Sequence, residues 1–170
     1  MFKIILIGDI RVGKTSLRHQ YMGQGFRGTY SATLGVDYSV KETKYGKTLI
    51  YDLAGDPASK ILRQQYYNGT QGCLMVYSIV NRKSFDHLDY WKEEITSILD
   101  PTFPIFILGN KDDLRDSVDD PVSEEEGYLY SKKIQEELNT SVSYLTTSAL
   151  TGYNVEVAFN KLLTEITTIM

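Results

Sequence analysis

An apolar run, Lys3-Ile4-Ile5-Leu6-Ile7, gives way to Gly8-Asp9-Ile10-Arg11-Val12-Gly13-Lys14-Thr15 and then to a helical pattern. The loop follows a Gly-x-x-x-x-Gly-Lys-Thr spacing, and each fixed position has a physical reason. Gly8 and Gly13 let the backbone turn tightly, so that successive N–H groups point inward at phosphate oxygens. A helix starting near Lys14 adds the positive end of its dipole. Lys14 reaches the outer phosphates, and the Thr15 hydroxyl coordinates Mg²⁺. The phosphate contacts expected here come from Gly8, Arg11, Val12, Gly13, Lys14, Thr15 and Ser16. A glycine-containing turn with an incidental lysine is the plain alternative, and a strand before with a helix after argues against it.

The rest of the chain repeats that strand-then-helix rhythm. Strand-like runs are expected at Phe2–Ile7, Val36–Val40, Thr48–Leu53, Gly72–Ser78, Phe103–Leu108 and Val142–Thr147. Three of them are almost continuously apolar, as strands are when both faces of a parallel sheet are covered. In Ser84–Leu99 the residues Phe85, Leu88, Trp91, Ile95 and Leu99 recur at helical spacing, with Ser84 as a candidate cap. Asn154–Met170 repeats that pattern through Val155, Phe159, Leu162, Leu163 and Ile166. Lys44-Tyr45-Gly46-Lys47 joins two strands and reads as a hairpin. The expected architecture is a single α/β domain over residues 1–170 with the fold of a P-loop NTPase. Its six-stranded sheet is mostly parallel, carries one antiparallel hairpin strand and has helices on both faces. In such sheets ligands sit beyond the carboxyl ends of the strands, where every motif described here falls.

Bulk properties narrow the function. The chain has 170 residues and a formal net charge of −4, so nothing global attracts nucleic acid or an anionic membrane. Phosphate binding must therefore come from local geometry. Cys73 is the single cysteine and lies in an apolar run, which points to a reduced, cytoplasmic setting. No apolar run approaches the ~18 residues of a membrane span. Residues 167–170 hold no cysteine for a prenyl group, so membrane attachment is expected only through a lipid-bearing tail beyond them. Monomer is the expected state.

The fifth strand runs into Gly109-Asn110-Lys111-Asp112-Asp113-Leu114. Asp113 can accept two hydrogen bonds from the N1–H and exocyclic amine of guanine, whereas adenine would leave that carboxylate unpaired. Lys111 can lay its stem along the base, and Asn110 can tie this loop to the phosphate loop. After the sixth strand, Thr147-Ser148-Ala149-Leu150 brings Ser148 and the Ala149 N–H toward the base carbonyl. A polar turn is the plain reading of Asn110–Asp113 alone; the convergence of both loops favours guanine.

These motifs, together with Thr33-Leu34-Gly35-Val36-Asp37-Tyr38 and Asp52-Leu53-Ala54-Gly55, make the chain resemble a small GTPase of the Ras superfamily over nearly its whole length. The stretch from Arg63 to Gly72, Val76-Tyr77 and Ser84-Phe85 resemble Rab-type segments. The resemblance implies GTP/GDP and Mg²⁺ as ligands. It implies Mg²⁺ binding by Thr15, by the Thr33 hydroxyl and, through water, by Asp52. It implies γ-phosphate contact by the Gly55 N–H and an aromatic wall for the guanine ring at Phe26, although a core-covering role is open for that side chain. Loss of the γ-phosphate would release residues around 28–38 and 54–67, where effectors and regulators bind.

Three departures from the family bear on hydrolysis, for which Lys14, Gly55 and Asp56 are the candidate groups. Asp56 stands where the family has a glutamine that orients the attacking water. A carboxylate offers no hydrogen-bond donor and adds negative charge to an anionic centre, although it could act as a base. Pro57 restricts Asp56 to extended geometry. Ile10 replaces a glycine or small residue and crowds the γ-phosphate side. Arg11 either helps the phosphates in cis or faces solvent. The expectation is a switch with slow or impaired hydrolysis, or a GTP-binding module that does not hydrolyse at all. A kinase built on the same loop lacks an acceptor site. His19 and His87 have no ligand-like neighbours that would suggest zinc, and the acidic stretch Asp116–Glu126 reads as a solvated loop and helix start.

Overall fold

The computed structural model describes residues 1–169, so Met170, expected to end the last helix, lies outside the described residues. Six strands form one sheet in the order β2-β3-β1-β4-β5-β6. They are β1 (Phe2–Ile7), β2 (Val36–Thr43), β3 (Gly46–Leu53), β4 (Gly72–Ser78), β5 (Ile105–Asn110) and β6 (Val142–Thr146). Only β2 and β3 pair antiparallel; the other neighbours are parallel. The expected fold class is the one observed.

Helices α1 (Lys14–Tyr21) and α6 (Val155–Ile169) cover one face. Ile4 and Leu6 point to that side and pack with Leu17, Tyr21 and Phe159, the last two rings stacked at 3.9 Å between centroids. Ile5 and Ile7 point to the other side. They belong to a cluster with Tyr67, just past α2 (Lys60–Gln64), Phe85 of α3 (Arg82–Asp86) and residues of α4 (Leu88–Thr96) and α5 (Glu124–Leu138). This period-two alternation buries both faces of β1, which explains its nearly unbroken apolar run.

Several boundaries differ from expectation, each for a local reason. The hairpin turn narrows to Lys44 and Tyr45, because Gly46 takes φ 113° and pairs with Thr43. β5 starts two residues late, after Pro104, which has no N–H to give. It continues to Asn110, which stays in register with Ser78 of β4. The single helix expected over Ser84–Leu99 is two, α3 and α4, meeting at His87, and Leu99 lies past the end. Ser84 is not a cap: Asn81 holds that position, and the buried Ser84 Oγ accepts from the Ser78 N–H at 2.9 Å. The acidic stretch Asp116–Glu126 runs, as expected, from the exposed end of the 3-10 turn Asp112–Ser117 and the exposed segment that follows it into the first turn of α5. There Ser123 and Glu126 form a capping box that favours acidic residues at the helix start.

Candidate functional site

The loop after β1 wraps around the Lys14 ammonium, which donates to the carbonyls of Gly8 and Asp9 at 2.7 Å each. Lys14 is 6% exposed. Burial brings its pKa down to about 8, against the opposing pull of Asp52 and Asp9. Gly13 precedes α1 at φ 102°, and a Cβ there would stand 2.3 Å from the Asn110 amide nitrogen. No larger residue fits that junction. The cleft beyond the loop has a volume of about 760 Å³ and is lined by Gly13, Lys14, Thr15 and Ser16 on the helix side. Such a volume suits a nucleotide-sized ligand.

Three oxygen donors from three separate segments converge below it. Thr15 Oγ1 lies 3.0 Å from Thr33 Oγ1, and Thr15 donates to Asp52 Oδ2. Thr33 Oγ1 is 3.5 Å from the same carboxylate oxygen. Asp52 is fully buried, and its Oδ1 has no hydrogen-bond partner. Burial pushes the Asp52 pKa up, opposed by the Thr15 hydroxyl and the charges of Lys14 and Arg18. Two hydroxyls and one carboxylate, with one of its oxygens buried and orphaned, form an oxygen-only set that fits a small hard cation such as Mg²⁺.

At the far end, Asn110 is 1% exposed and does the tying expected of it. Its Nδ2 donates to the Val12 carbonyl at 2.9 Å, and its Oδ1 accepts from Thr147 Oγ1 at 3.1 Å. The Ala149 N–H, expected to face a base carbonyl, donates to Asn110 Oδ1 at 3.2 Å in this structure. Ser148 Oγ donates to Asp113 Oδ1 at 2.6 Å, which aligns that carboxylate. Lys111 sits at φ 68° and lines the cleft. Burial lowers its pKa, while Asp113 opposes this and Arg11 adds to it. Phe26 also lines the cleft, 45% exposed.

Asp56, Gly55 and Ile10 close the opposite rim. A Cβ on Gly55 would stand 2.5 Å from Ile10 N, so the chain after β3 docks against the phosphate loop backbone to backbone. Asp56 is exposed and extended (φ −76°, ψ 130°), as the following proline requires. Its Oδ1 accepts the Ala58 N–H at 3.1 Å and caps the turn Pro57–Ser59. Ile10 is 52% exposed at the cleft. Arg11 is exposed, the second of the two positions expected: at φ 62° it lays its guanidinium over the Tyr30 ring at 4.8 Å, at the cleft mouth.

Sequence reasoning passed over four residues here. Asp9 is held from α4: Trp91 Nε1 donates to its Oδ1, and His87 Nδ1 lies against its Oδ2, both at 2.8 Å. Arg63 is completely buried. It pairs with Glu94 at 2.7 Å, donates to the carbonyls of Ala54 and Asp56, and lies over the Trp91 ring at 4.7 Å. Arg18 is 4% exposed beside Asp52, and Tyr30 faces Arg11. The partners of all four are distant in sequence, so no local spacing marks them; the one available signal was that Arg18 follows Thr15 by three residues on a helix.

Fold and site define a phosphate-loop α/β protein with an adjoining oxygen-donor cluster. A profile of the Ras family matches residues 3–168. Ras-related protein RABG3f of Arabidopsis thaliana is 35% identical over 167 residues, which cover 94% of this chain and 79% of that protein. Ypt/Rab-type GTPase avaA of Emericella nidulans is 37% identical over 169 residues, covering 94% and 78%. Ras-related protein Rab7 of Pisum sativum is 35% identical, covering 94% and 79%. The chain thus belongs to the Ras family of small GTPases and is Rab-like, a GTP-binding switch by class.

Proposed function

We propose that this protein is a Mg²⁺-dependent GTP/GDP switch whose intrinsic hydrolysis is slow. The phosphates lie against Gly8, Arg11, Val12, Gly13, Lys14, Thr15 and Ser16. Asn110, Lys111, Asp113, Ser148 and Ala149 read guanine beside Phe26. Thr15, Thr33 and Asp52 hold the metal, which when bound neutralises charge on the outer phosphates. Gly55 offers its N–H to the γ-phosphate. Effectors and regulators meet residues 28–38 and 54–67, where Leu34 and Ile61 are 94% and 77% exposed.

The observation that carries the slow-hydrolysis reading is Asp56. Its carboxylate is engaged in capping its own turn and has no N–H to donate to the phosphoryl group. Ile10 adds a β-branched side chain at the same rim. The same observations favour, as second reading, a GTP-binding platform with no hydrolysis of its own.

Single-turnover hydrolysis tests this: load GTP and Mg²⁺, then follow GDP by chromatography. GTP should persist for hours, and Asp56→Gln with Ile10→Gly should raise the rate roughly 10–100-fold. Wild-type turnover as fast as in glutamine-bearing relatives would overturn the slow reading. Undetectable turnover would select the platform.

A further inference from the structure

Arg18 places a full positive charge where neither the phosphates nor the base calls for one. It follows Thr15 by one turn of α1, so both side chains leave the same face of the helix. The guanidinium, 4% exposed, lies between two carboxylates from neighbouring strands. On one side Nη2 pairs with Asp37 of β2, whose side chain is 58% exposed. On the other, Nε stands 4.0 Å from Oδ2 of Asp52 in β3, fully buried. Nη1 donates to the Ser39 hydroxyl, and Nη2 lies 3.2 Å from Nε2 of His19. The two atoms left without hydrogen-bond partners in this corner are the Arg18 Nε–H and Asp52 Oδ1.

A hard divalent cation and a guanidinium attract the same carboxylate and repel each other. The low exposure of both Arg18 and Asp52 keeps water from screening that repulsion. Asp37 works the opposite way: paired with Arg18 from the wet side, it cancels part of the charge that Asp52 and a bound cation feel. The arrangement is graded rather than all-or-none, because one of the two anions is exposed and the other is not.

We propose that Arg18 sets the Mg²⁺ affinity of this site, acting as a fixed charge that competes with the metal for Asp52, with Asp37 tuning how much of it is felt. This rests on reading Thr15, Thr33 and Asp52 as the metal cluster. Arg18 is a positioning and affinity-setting residue and touches no reacting atom.

The test measures release of a fluorescent GDP from the full chain as free Mg²⁺ is varied, and reads the Mg²⁺ midpoint. Arg18→Met keeps the stem and removes the charge, and should lower the midpoint by about 10-fold. Asp37→Asn frees the guanidinium charge and should raise it by roughly 3–10-fold. Ser39→Ala removes a hydrogen bond without changing charge and should leave the midpoint in place. A purely structural ion pair gives a different pattern, since breaking either half loosens β2 and weakens Mg²⁺ in both variants. Shifts in the same direction, or none, overturn the proposal. Should Arg18→Met fail to fold, Arg18→Gln takes its place, keeping an amide donor on that side of α1 without the charge, and a midpoint that does not fall overturns the proposal. Release from wild type that ignores Mg²⁺ altogether overturns the metal cluster itself, which separates the two failures.

Discussion

At Lys14 an ammonium is enclosed with only two carbonyl oxygens for partners, and burial holds its pKa at about 8. Phosphate oxygens beside it favour the charged form, so the nucleotide-bound pKa lies above the free one. The gain from that charge is complete below about pH 8 and is lost as pH rises through the free and then the bound value. At pH 8, loading should therefore take up about half a proton, read calorimetrically as an enthalpy that varies with the buffer's ionisation enthalpy. No uptake would mean that Lys14 is already fully charged before binding. Lys14 was legible in the sequence because its motif is contiguous, and Asn110 because its loop follows a buried strand. Arg18 and Arg63 were not, since their carboxylates lie 19 and 31 positions away on other elements. The contact of the Ala149 N–H with Asn110 Oδ1 was not legible either, because it depends on where that oxygen comes to rest.

Among elements, the contact between α2 and α4 stands out. Arg63 brings a guanidinium out of water, and Glu94 meets it with both carboxylate oxygens, at 2.9 and 2.7 Å. The Tyr67 and Tyr90 hydroxyls complete the carboxylate's hydrogen bonds. Burial alone would raise the Glu94 pKa, but these donors hold it below the usual carboxylate range. A buried pair so fully satisfied is stable as a pair and costly to split. Glu94→Ala, which strands the guanidinium, should destabilise the protein by about 3–5 kcal/mol. That corresponds to roughly 10 °C in Tm, measurable by calorimetry. A loss under ~1 kcal/mol would show that water reaches Arg63 after all. Most elements were foreseen from periodicity. The break at His87 was not, because the apolar spacing of Leu88, Trp91 and Ile95 runs on regardless of it. What marks the joint is a polar contact to Asp9, and periodicity carries no record of that.

Across the whole molecule the two segments proposed as switches are built differently. Residues 26–32 form an exposed irregular stretch, tied at Tyr30 to Arg11 and at Thr33 to the oxygen cluster. Residues 60–67 carry Arg63 and Tyr67, both completely buried and bonded into α4, and Trp91 of α4 in turn holds the phosphate loop through Asp9. Local opening follows from such differences in burial. Against the expectation from family resemblance that 54–67 is released as well, amide hydrogen exchange compared between GDP- and GTP-loaded protein should change around 28–38 and stay nearly constant over 60–67, where Arg63 and Tyr67 are bonded to Glu94. Equal changes in both would mean that the Arg63 anchor yields with the nucleotide. If the anchor holds, the two segments divide the labour of a message. The stretch on α2 is a permanent address, the same whichever nucleotide is aboard, by which partners can recognise this protein and no other. The stretch before β2 is the text, rewritten at each exchange. A partner that grips only the address would stay through the whole cycle, and one that must read the text would come and go.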